Sequence, residues 1–78
     1  MMDREKEVER LNEADRHIAT GELAVSKQIA LIEKLKQDGH DISQAVKQLH
    51  DFQNGLDSMR EHRSHIVQMI DQIDRGLA

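Results

Sequence analysis

Two carboxylate and histidine pairs are the residues best placed by type and spacing to do chemistry: Glu13-x-x-x-His17 and Glu61-x-x-x-His65, with His62 beside the second. A spacing of four sets each pair on one helix face, and nitrogen and oxygen ligands from neighbouring helices can hold zinc. The phases disagree, however. His17 and His62 flank the expected core on one side, whereas His65 and Glu61 point away from it, so four ligands do not converge. The Glu-x-x-His spacing of di-iron bundles is not met either, because each pair here is one residue longer. We therefore expect no metal and no cofactor, and read His17, His62 and His65 as solvated flank residues that are the candidates should an ion bind. His40 stands in a Gly-His-Asp turn, and five histidines in so short a chain permit pH-dependent assembly.

Arg63 is the other residue of interest, since it interrupts an apolar stripe in the second half of the chain. A charge at a seam position must extend its head to water or find a carboxylate. If the halves fold back on each other, Arg63 lies opposite Ala14, with Asp15 and Glu13 on either side. A small alanine would admit the arginine stem and Asp15 could take the guanidinium, fixing register. The alternative is an anion or partner site inside a bundle. No Gly-rich phosphate loop, no Ser-His-Asp constellation and no paired carboxylates in separating environments occur. A slender hairpin also offers no deep cleft, so the expectation is a protein that is not an enzyme.

The elements that must position these residues are written in the apolar pattern. In the second half Ile42, Ala45, Leu49, Phe52, Leu56, Met59, Ile66, Ile70, Ile73 and Leu77 recur in steps of three and four, broken by Arg63, which is a coiled-coil seam. The first half carries a looser stripe of Val8, Leu11, Ala14, Ile18, Gly21, Val25, Ile29, Ile32 and Leu35. Between them lies Asp38-Gly39-His40-Asp41. Gly39 suits a left-handed residue past a helix end, with Lys34 and Lys36 in the last turn. Asp3 can cap the first helix, and Asp41 with Gln44 makes a capping-box pattern for the second. The chain thus reads as an all-α antiparallel two-helix hairpin spanning residues 1–78 as one domain, with helix one about 3–38, turn 38–41 and helix two about 42–76. Each helix of roughly 35 residues would run about 50 Å at 1.5 Å per residue.

Facing positions then add to about 77. Leu11 meets Ile66, Ile18 meets Met59, Val25 meets Phe52, and Ile32 meets Ala45. Gly21 falls against Leu56, where its missing side chain leaves room; the competing reading is a kink. Leu23, Ala24, Ala30, Leu31, Val46, Val67 and Met69 lie off this seam, an apolar arc too wide for a lone hairpin. Exposing it would forgo about 1.5 to 3 kcal/mol per large side chain, so a second copy completing a four-helix bundle is the expected remedy. The expected partner is a homodimer mate, with a different protein as the alternative owner of that surface.

Composition narrows the classes further. The net charge is -4 with signs interspersed, which provides no basic field for a phosphate backbone, so nucleic acid is not an expected partner. Phe52 is the sole aromatic residue, which removes stacking platforms. Cysteine is absent, in keeping with a reducing compartment. No run approaches the roughly 18 apolar residues of a membrane span, and Met1-Met2-Asp3-Arg4-Glu5-Lys6 lacks the apolar core of a signal peptide. A cytoplasmic protein without membrane contact is expected.

The string His17-Ile18-Ala19-x-Gly21-Glu22, followed by Gln28, Leu31-Ile32, Leu35, Gly39-His40-Asp41 and His62-Arg63, resembles a group of small α-helical hairpin proteins frequent in alphaproteobacteria such as rhizobia. The likeness spans roughly residues 10–66. The group has no assigned activity, so the resemblance implies a bacterial cytosolic hairpin and carries over no catalytic residue. The two-helix phosphatases of sporulation response regulators are similar in size and shape, but where their Ser-x-x-x-Asp signature would stand this chain has Val46-Lys47-Gln48-Leu49-His50-Asp51. The expected role is a structural or protein-interaction module acting by helix packing. The alternatives are a metal- or pH-responsive regulatory hairpin using the flank histidines, or a small regulator of a bacterial signalling protein.

Overall fold

Local hydrogen-bond chemistry sets both ends of both helices. The computed structural model describes residues 3–77, in which α1 runs Arg4–Gln37 and α2 runs Ser43–Asp74. The Asp3 carboxylate accepts from the Glu5 amide at 3.0 Å, and Glu5 and Glu7 stand in the first turn, where the helix dipole favours negative charge. At the other end Gly39 takes φ +75, the His40 amide donates to the Leu35 carbonyl at 2.9 Å, and the Gly39 amide donates to Lys36 at 3.1 Å. These paired bonds form a Schellman motif and satisfy carbonyls that the helix end would orphan. Lys34 adds an ion pair to Asp38 at 3.4 Å.

The start of α2 departs in part from the capping-box expectation. The N-cap position is Ile42, which makes no side-chain capping bond. Asp41, one residue earlier, accepts at Oδ1 from the Ser43 amide at 3.0 Å and from the Ser43 hydroxyl at 2.7 Å. Among the described residues Gln44 makes no return bond to this turn. The end of α2 is a correction as well. Gly76 adopts φ +72, and the Gly76 and Leu77 amides donate to Ile73 and Gln72, a second Schellman motif that stops the helix at Asp74. Leu77, expected on the apolar stripe, is therefore past the helix and exposed.

The two helices pack antiparallel as a rod with extents of 59 × 15 × 13 Å. From Ile42 through α2 the buried and half-buried residues mostly keep the expected phase, Ala45, Leu49, Leu56, Arg63, Ile66, Ile70 and Ile73, with Val46 and Met69, expected off the seam, half-buried beside it. In α1 the seam is Glu7, Leu11, Ala14, Ile18, Gly21, Val25, Gln28, Ile32 and Leu35, an unbroken alternation of four and three. This corrects the expected stripe at two places. Glu7 rather than Val8 is buried, at 6% exposure, and Gln28 at 6% replaces Ile29, which is 44% exposed. A strict heptad is what keeps one helix facing one partner, and that geometric demand overrides the hydrophobicity of the adjacent residue.

Gln28 meets the demand by finding partners: its amide donates to the Ala45 carbonyl at 2.9 Å and to Gln48 Oε1 at 3.2 Å. No buried side-chain polar atom among the described residues lacks a partner. Gly21 sits where a Cβ would come 3.1 Å from Leu56 Cδ1 and 3.6 Å from Met59 Sδ, so the two helices approach closely there. Among the described residues no helix is long and apolar enough to cross a membrane.

Candidate interaction surface

A two-stranded seam leaves two flanks, and in this hairpin they differ. One flank is made by the residues that follow the seam positions: Asp15 and Glu22 on α1, Arg60 and Asp74 on α2. Ion pairs cross it at three heights. Arg4 Nε donates to Asp74 Oδ1 at 2.6 Å, Arg63 Nε donates to Asp15, and Arg60 lies 4.0 Å from Glu22 while also meeting Asp57 at 3.7 Å. The hydrogen bond from Arg4 holds the Asp74 carboxyl below the usual carboxylate range, and the same bond raises the Arg4 guanidinium. Arg63 is half-buried at its seam position, and its guanidinium reaches this flank with the side chain 42% exposed.

The other flank carries hollows. An apolar one of about 350 Å³ is lined by Gly21, Ala24, Phe52, Gly55, Leu56 and Met59, with His17, Thr20 and Asp51 also in its lining. Its cause is the small residues Ala24 and Gly55 on either side of the seam; nothing lies within 4 Å of where a Gly55 Cβ would be. Phe52 and Met59, seam residues by spacing, are consequently 36% and 37% exposed. Leu31 continues the apolar strip toward the turn and is exposed too. Toward the turn lies a second hollow, more polar, lined on α2 by Gln44, Ala45, Lys47, Gln48 and Asp51, with Leu35 and Asp41.

His17 and His62 do come together, on the open-end side of the groove, around a hollow of about 250 Å³ with Arg10, Glu13 and Ala14. Glu13 Oε1 lies 3.9 Å from His17 Nε2, a loose approach between exposed groups. His65 is not in that lining. Among the described residues no group of three or more histidine, aspartate or glutamate side chains is placed to share a metal ion. Of the seam residues expected from sequence, Ile18, Leu56 and Ile66 are buried, while Leu11, Val25, Ile32, Leu49 and Ile70 are half-buried.

The flank asymmetry was not anticipated from the sequence, although the signal was present. Once the seam phase is fixed, Asp15, Glu22, Asp57 and Arg60 follow seam positions on one flank, together with the exposed Ile29 and Val67, while Ala24 and Gly55 precede seam positions on the other. Compared with protein-family models, curated proteins and solved structures, the chain gives no match.

Proposed function

We propose that this chain is a non-enzymatic structural or protein-interaction module that acts by helix-to-helix packing, two hairpins joining into a four-helix bundle. The observation that carries this reading is the exposure of Phe52 and Met59, seam residues that two helices alone leave more than one-third uncovered. Burying a large apolar side chain contributes about 1.5 to 3 kcal/mol, and a domain this small has few other sources of stability. With neither cysteine nor a membrane-spanning helix among the described residues, we place it in the cytoplasm of a bacterium, in line with its resemblance to alphaproteobacterial hairpins.

Sedimentation equilibrium across micromolar concentrations tests the reading. The expected species is a dimer of twice the 9.0 kDa chain mass. A fully helical monomer that stays monomeric overturns it. The convergence of His17, His62 and Glu13 on one hollow favours pH-responsive regulation as a second reading, tested by the same measurement between pH 5 and 8.

A further inference from the structure

Resting on the self-association reading, we infer that the second copy docks on the flank bearing the Ala24 and Gly55 groove, with both turns at the same end of the bundle. Three observations support this. The opposite flank is already crossed by the Arg4–Asp74, Arg63–Asp15 and Arg60–Glu22 pairs, and covering it would strip water from those charges. The groove flank is apolar at its centre and has small residues where a partner helix must approach closely. Its charges are complementary to themselves in one orientation.

That orientation follows from the rod's own register. Thr20 and Ala24 line the groove on α1, and Lys27 lies one and two turns farther along the same face. Asp51 lines it on α2, and neither Lys27 nor Asp51 has an ion-pair partner within 4.0 Å among the described residues. When two hairpins pair with turns together, α1 of one lies antiparallel to α2 of the other at the height it already shares with its own. Ala24 then opposes the partner subunit's Gly55. Lys27 faces the partner subunit's Asp51, and Glu13 faces the partner subunit's His65. The turn aspartates do not disturb this arrangement, because Asp38 is engaged by Lys34 and Asp41 by Ser43. Reversing one hairpin instead sets α1 against α1 and α2 against α2, which leaves Lys27 without its carboxylate.

Charge exchange and a distance measurement test the arrangement together. Lys27→Asp and Asp51→Lys should each weaken dimerisation about tenfold, since every dimer holds two such pairs, and the double variant should recover most of that loss. Circular dichroism checks that each variant keeps its helices. A spin label on His40→Cys, the single cysteine such a variant would hold, should give a distance of about 30 Å or less across the bundle. A distance near the 59 Å rod length, or a double variant no better than the singles, overturns this docking while leaving self-association standing. A monomer at every concentration removes both.

Discussion

Gly21 packs directly against Leu56: a methyl group on Gly21 would lie 3.1 Å from Leu56 Cδ1. Gly55, one residue before Leu56, faces open space. Two glycines in helix interiors therefore have different roles, one making room for its neighbour inside the hairpin and the other leaving the groove open.

Alanine substitution should separate them. Gly55→Ala removes the roughly 1 kcal/mol that glycine costs in a helix and meets no neighbour, so monomer stability in urea should rise by about that amount. At Gly21 the same helical gain is opposed by crowding against Leu56, and the net change should be near zero or negative. Equal gains at both positions would show that Leu56 moves aside freely and that the close approach is unimportant.

Arg63 and Asp15 carry side chains that are 42% and 50% exposed, so their ion pair is screened by water. Asp15→Ala should cost no more than about 1 kcal/mol, with most of that lost in molar salt. Arg63→Met should cost a similar amount because a stem at the half-buried seam position is retained. Arg63→Ala should cost about 1 kcal/mol more, the difference reporting the packing of the stem. Thermal melts at low and high salt would distinguish these contributions.

Glu7 occupies a seam position with its carboxylate bonded to Arg10 at 3.2 Å. A buried carboxylate with one exposed partner is weakly compensated, and an aliphatic side chain there would extend the apolar seam toward the open end. Glu7→Leu should therefore stabilise the hairpin by about 1 kcal/mol, read as a higher urea midpoint with an unchanged slope. A loss would mean that the charge at the start of α1 matters more than the burial.

Asp41 gives the fold a pH dependence of defined sign. Hydrogen bonds from the Ser43 amide and hydroxyl hold its carboxyl below the ordinary aspartate range, so the folded state binds a proton less readily than the unfolded one. Its contribution is present above about pH 4 and is lost as pH falls through the lowered folded value. Asp41→Ala should be less stable than the parent at pH 7, and the gap should close in acid. A gap that persists at pH 2 would show that the side chain acts through geometry rather than charge. Asp74, held down by Arg4, has the same sign at the open end.

What the sequence alone determined was local. Asp3 was legible as a cap and Gly39 as the turn residue because each acts on amides and carbonyls within a few residues of itself, and the α2 phase was legible because its apolar residues already keep strict steps; Asp41 carries a cap's side chain but stands one residue before the capping position. Gly76 carries the same local signal as Gly39, but the apolar Leu77 just beyond it reads as a continuation of the stripe. The tertiary structure decided which of two neighbours entered the α1 seam, choosing Glu7 over Val8 and Gln28 over Ile29. A facing helix accepts one phase along its whole length, and a single side chain's hydrophobicity cannot shift it. Once the seam phase and the antiparallel pairing are given, Asp15, Glu22 and Arg60 fall on one flank and Ala24 and Gly55 on the other. What only the packed pair decided was contact, the Arg63 head reaching Asp15 and a groove staying open beside Phe52 and Met59, because reach and leftover space depend on the distance between two helices and not on the order of residues along either.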